Sequence, residues 1–233
     1  MVGKSKYIFG FLVFSVVSLF ADSNRYDMKS AIVEYDIVGS GDIMGSKASI
    51  TGSSKLYFKE YGKVELTEEK ISQSVMGDNE EEHNITKIVG NKIFNVDFND
   101  RVIYQQEIIL DEENPFLNLK NSETLSSMGA KKIGSEEVLG YKCDIWQLGE
   151  DRIWIYNTVP LKFISKSLGV VQVQQAKLAV FNVEIKDDKF KLPAFPVKIV
   201  DDVLGGSEVP ELSAEQEKMM EEMMKETGNI YSK

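Results

Sequence analysis

Histidine, cysteine, proline and basic charge are all scarce in this chain, and each shortage removes a class of function. His83 is the only histidine among 233 residues. Most metalloenzyme sites use two or more imidazoles, so they are excluded. A serine or cysteine triad would have to take His83 as its base. His83 follows the acidic run Asp78-Asn79-Glu80-Glu81-Glu82, which reads as a loop with nothing packed around the imidazole to orient it. Cys143 is the only cysteine, so no internal disulfide forms and stability must come from a hydrophobic core. Cys143 itself reads as a small buried apolar residue in a strand, with a reactive thiol or an intermolecular bridge as the other readings. The five prolines fall between candidate strands. Lys and Arg number 27 against 37 Asp and Glu, a formal net charge of −10, and no basic stripe breaks the excess. That argues against nucleic acid and against electrostatic docking on anionic lipid. No paired-carboxylate or nucleophile motif is visible, so the expectation is no enzyme, no cofactor and no metal. A hydrolase using carboxylates alone stays formally open.

What the chain does have begins with a leader. Lys4 and Lys6 precede an apolar run over residues 7–20, then Ala21 and the polar Asp22-Ser23-Asn24. This is the layout of a secretory signal peptide spanning 1–21. The run is shorter than the roughly 20 residues of a spanning helix. Leu19 is bulky for its place before the cut, so an uncleaved anchor is the alternative. Asp22, and not a cysteine, follows the expected cut, so the mature chain is expected to be periplasmic, soluble, not membrane-spanning and without a lipid anchor. About 210 residues remain, enough for one domain over 22–205.

Residues 30 to 200 alternate with period two. Ala31, Val33, Tyr35 and Ile37 share one face of a first strand. Ala48, Ile50, Leu56 and Phe58 alternate with polar residues and with Tyr57 in a second. Gly39, Gly41 and Gly45 mark the turn between them. Further strands are expected at 63–75, at 84–98 bent at Gly90-Asn91, and at 101–110, with a turn over 77–83. A short helical patch through Leu125 and Met128 ends at Gly129. Strands then follow at 140–146, 152–156, 161–167 and 170–185, and Phe190-Lys191-Leu192-Pro193 closes the run. Residues 206–233 differ. Ser213 and Gln216 fit a capping box, and Met219, Met220, Met223 and Met224 form a stripe opposite Glu217, Glu221, Glu222 and Lys225. This amphipathic helix docks on the sheet, serves as a lid or partner-binding helix, or offers thioethers to copper(I).

The order of short motifs in the second half resembles the LolA-like superfamily of periplasmic lipoprotein carriers and lipid-binding half-barrels. They are Gly140-Tyr141-Lys142-Cys143-x-x-Trp146, Arg152-Ile153-Trp154-Ile155, Pro160-Leu161-Lys162, Ala176, Asn182-Val183-x-Ile185 and Phe190-x-Leu192-Pro193, with Leu56-Tyr57-Phe58-x-x-Tyr61-Gly62 earlier. The resemblance covers roughly residues 30 to 195. It implies a mainly β fold, α+β in class: a strongly curved antiparallel sheet forming an incomplete β-barrel, with covering helices. It also implies binding of a lipid, an acyl chain or a lipoprotein in an apolar groove. The sequence departs from the carriers in its Met-rich C-terminal helix, and their lid arginine has no clear counterpart.

Groove candidates are Ile50, Leu56, Phe58, Phe94, Val96, Phe98, Trp154 and Tyr156, with Trp146 as a second possible floor for a pocket. A slip of one residue would move any of these to the other face. The other reading is a barrel packed solid, with an envelope protein as partner of the Met-rich helix. Asn84, in Glu82-His83-Asn84-Ile85-Thr86, is a glycosylation acceptor or a chance match.

Overall fold

The computed structural model describes residues 24–43, 45–75, 77–107, 122–167 and 169–200. They fall within one compact unit ending at Val200, and residues 201–233 lie outside the described residues. The expected signal peptide and Met-rich helix also lie outside the described residues.

Among the described residues between 31 and 181 the expected strands form, the one expected over 101–110 being described only as far as Glu107. β1 (Ala31–Ile43), β2 (Ser46–Lys59), β3 (Val64–Val75), β4 (Asp78–Val89), β5 (Lys92–Asp97) and β6 (Val102–Glu107) form one meander. The helix α1 (Ser122–Ser127) precedes a second: β7 (Lys131–Val138), β8 (Tyr141–Leu148), β9 (Asp151–Tyr156), β10 (Val159–Ser167) and β11 (Val170–Phe181). The last described strand is β12 (Val197–Val200). All join one open sheet in the order β12-β6-β5-β4-β3-β2-β1-β11-β10-β9-β8-β7. The two meanders meet where β11 returns to pair with β1, Ala31 opposite Phe181 and Gly41 opposite Val170. The two chains pass closely there. A Cβ on Gly41 would lie 2.6 Å from the Val170 Cα, so only glycine fits.

Several expectations need correction. The sheet is open and is not a barrel. It is not wholly antiparallel, since β12 runs parallel to β6. Among the described residues the only α-helix is the six-residue α1, so the expected covering helices reduce to that segment and two 3-10 turns, Glu60–Gly62 and Asp187–Phe190. The acidic run is not a loop. Asp78 pairs with Val75, and the whole run lies in β4. The long strand expected to reach residue 185 stops at Phe181, and Phe190 ends a 3-10 turn. Pro160 sits inside β10, at a bulge between Pro160 and Lys162. A bulge leaves a residue out of the ladder, which is how a strand accepts proline.

Residues 182–196 explain the parallel strand. They leave β11 and cross the back of the first meander, where Ile185 and Phe190 bury Tyr57 and Leu66. Tyr57 is therefore buried although its neighbours on that face, Lys55 and Lys59, are half-buried. The strap reaches the far edge, where the Ile103 amide donates to the Pro196 carbonyl, and β12 adds to β6.

The opposite face folds over on itself. β8 and β11 are three spacings apart in the sheet, roughly 14 Å if it were flat. Yet the Tyr141 and Phe181 rings are 5.0 Å apart, and the Tyr141 hydroxyl donates to the Ala179 carbonyl at 3.4 Å. The register shift at Pro160/Lys162 lies within this span and that at Glu34/Tyr35 at its border with β1, where bulges favour a bend.

Candidate functional site

β9 is buried on both sides. Successive side chains of a strand point to opposite faces, and both Trp154 (3 % exposed) and Ile155 (9 %) are buried. Trp154 packs in the main core with Val33, Leu56, Phe58, Leu161 and Ala176. Its indole N–H donates to Glu136 Oε2 at 2.8 Å, and Lys162 Nζ lies 4.6 Å from the ring centroid and 3.9 Å from the same carboxylate. Ile155 faces the other way, into a cluster with Trp146, Leu125 and Ala130. α1 brings Leu125 there. Its end is closed by bonds from the Gly129 and Ala130 amides to the Ser126 and Leu125 carbonyls, with Gly129 at φ +86 as a left-handed stop.

An apolar cavity of about 70 Å³ lies in this corner. Its walls include Tyr35, Leu125, Trp146, Ile153, Pro160 and Phe163, and Asp151, Arg152, Lys162 and Gln174 also line it. Tyr35 spans two regions: it lines the cavity and also packs in the main core. Its hydroxyl donates to the Pro160 carbonyl at 2.8 Å, and burial, with the Glu65 charge, pushes its pKa far above the ordinary phenol value.

The sequence-predicted groove residues separate into three places. Leu56, Phe58 and Trp154 meet in the main core, and Tyr156 packs against it. Ile50 belongs to a neighbouring cluster with Ile37, Ile43, Ala48, Ile71 and Val170. Phe94 and Val96 lie on the strap side, opposite Lys87 and Ile85, and Ile85 packs under the strap. Phe98 stacks on His83 at 4.1 Å and meets the edge of Phe195. That trio is one residue out of phase with the inner face. Trp146, weighed as a pocket floor, lines the cavity. Tyr35, Leu125, Ile153 and Phe163 were missed as cavity walls. The cavity is made by the fold-over, and no period in the sequence reports it.

The polar candidates are also placed. His83 Nε2 is 2.9 Å from Glu68. Burial works to raise the Glu68 pKa, but hydrogen bonds from His83 and Lys70 outweigh it and hold the carboxyl low. Asn84 is exposed but lies in β4 opposite Glu69, not in a loop. Cys143 is fully buried, and burial pushes its thiol up to about 11. Among the described residues no group of three or more His, Cys, Asp or Glu is placed to hold a metal, and no helix is long and apolar enough to cross a membrane.

No family model and no curated protein matches the chain. Solved structures do. An uncharacterized conserved protein from Thermus thermophilus is 8 % identical with a TM-score of 0.41, over 72 % of this chain and 90 % of that one. A LolA superfamily protein from Nitrosomonas europaea is 10 % identical with a TM-score of 0.36, over 74 % and 94 %. LprF from Mycobacterium bovis is 6 % identical with a TM-score of 0.33, over 74 % and 92 %. Likeness at these scores carries no function across.

Proposed function

We propose that this protein binds an apolar chain, of a lipid or of a lipoprotein acyl group, in the cell envelope and without chemistry. The observation that carries this reading is the cavity between the β8–β9 layer and α1, walled by Tyr35, Leu125, Trp146, Ile153 and Phe163. Ligand sites are mostly apolar, with a few fixed polar groups that set orientation. Arg152, exposed and among the lining residues, suits an anionic head group. The walls come from β1, β8, β9, β10 and the α1 segment, so a ligand would tie the two meanders together.

The two tryptophans provide the test. Trp146 lines the cavity, while Trp154 faces the main core. A brominated fatty acid should quench wild-type fluorescence and should still quench Trp154→Phe. It should leave Trp146→Phe nearly unquenched. Failure to quench either tryptophan, with no lipid released from the native protein by solvent extraction, would overturn the reading.

A further inference from the structure

We propose that residues 24–30 form a releasable latch over the apolar interior, and that its opening admits the ligand. The purpose of the opening rests on the apolar-chain reading above, but the latch itself does not. As it stands the cavity is about 70 Å³, whereas small-molecule sites run to roughly 300–1,000 Å³. An acyl chain needs more room, and the latch fills the adjoining space. Tyr26 stacks on Phe58 with centroids 3.7 Å apart, and Met28 packs in the same core as Tyr35, which is the cavity wall. Lifting Tyr26 and Met28 extends the cavity past Tyr35 toward Phe58.

The latch is held at three turns, those of Tyr61, Thr158 and Asn182. The Arg25 and Tyr26 amides both donate to the Tyr61 carbonyl, and the Tyr61 amide donates to the Lys29 carbonyl. The Asp27 amide donates to Thr158 Oγ1 at 3.0 Å. The Lys29 amide donates to Asn182 Oδ1 at 3.1 Å, and the Asn182 amide donates to the Ser30 carbonyl. All three partners have left-handed backbones: Tyr61 at φ 57, Thr158 at φ 68 and Asn182 at φ 56. For tyrosine and a β-branched threonine that conformation is strained, and such strain gathers at switch regions and ligand clamps. Gly62 is shaped to the same contact, since a Cβ there would lie 2.7 Å from Arg25 Cβ and Tyr26 Cδ2.

The charged clip is equally suited to release. Arg25 Nη2 lies 3.3 Å from Glu65 Oε2, with side chains 1 % and 6 % exposed. The pair is not aligned for a hydrogen bond, and Arg25 Nε, Arg25 Nη2 and Glu65 Oε2 make none. A buried pair without full hydrogen bonding gains little over its hydrated, separated state. Undocking returns the guanidinium to water.

Two measurements test this. Amide exchange should show Arg25, Tyr26, Asp27 and Lys29 opening at least a hundredfold faster than Val33 and Leu56. Equal protection would mean that the segment leaves only on global unfolding, and would overturn the latch. Asp27→Cys with Thr158→Cys, in a Cys143→Ala background, should lock the latch when oxidised. Uptake of a dansyl-labelled undecanoic acid should slow at least tenfold and recover on reduction, while Tyr26→Ala should speed it. Uptake unchanged by the lock would overturn the latch as gatekeeper. No uptake by wild type, together with fast exchange of the latch amides, would remove the apolar-chain reading and leave the latch in place.

Discussion

Glu69 of β3 is 5 % exposed, and burial, then the nearby Glu82 carboxylate, pushes its pKa up to about 7. An acid whose folded pKa is raised binds its proton more tightly when folded. Its contribution is fully present below the unfolded value, near 4.5, and is lost as pH rises through about 7. Stability should fall across that window by about 1.4 kcal/mol per pH unit at most. Glu69→Gln should flatten the slope between pH 5 and 7 and raise the midpoint of thermal melting at pH 8. A slope identical to wild type would rule Glu69 out as its origin. Glu65 behaves differently. Glu65→Ala removes the partner of Arg25, and the guanidinium can leave for water with the latch, so the loss in urea unfolding should stay below the about 3–5 kcal/mol of a stranded buried charge. Cys143 should resist thiol reagents at pH 8 in the native protein and react at once in denaturant, since only the thiolate attacks.

At the scale of elements, legibility follows periodicity. β1 and β2 were readable because each has one wet and one dry face: Ala31, Val33, Tyr35 and Ile37 are all buried. The phase was lost farther out. Phe94 and Val96 looked like inner residues, but the strap of residues 182–196 gives the back of the sheet its own apolar layer, so apolar positions there carry either phase. The acidic run in β4 was misread because charge resembled a loop, while the turn lies before it, with Gly77 at φ +88 and Val75 opposite Asp78. The cavity escaped notice because Trp154 and Ile155 of β9 are buried on opposite faces, which blurs alternation there. Gly41 gives an element-scale prediction. Gly41→Ala would drive a Cβ against the Val170 backbone and should destabilise by about 1–3 kcal/mol, seen as a lower urea midpoint.

For the whole molecule, the topology decides which parts are firm. β1 and β11 lie at the centre of the sheet, each paired on both sides, while β12 and β7 are its edges. Exchange protection should be greatest in β1, β2 and β11 and least in β7 and β12, where Ile133 and Ile199 are half exposed or more. Protection as high in β7 as in β1 would contradict this order.

The seam between β1 and β11 joins residues some 140 positions apart, and β12 seals the β6 edge only from residue 197 onward. A chain appearing from its N-terminus therefore completes its first hairpins long before either flank of that meander has a partner. Bare strand flanks invite pairing with other chains. During delivery, the interval between the emergence of β6 and of β11 is when this protein is most open to aggregation and most in need of a holding chaperone.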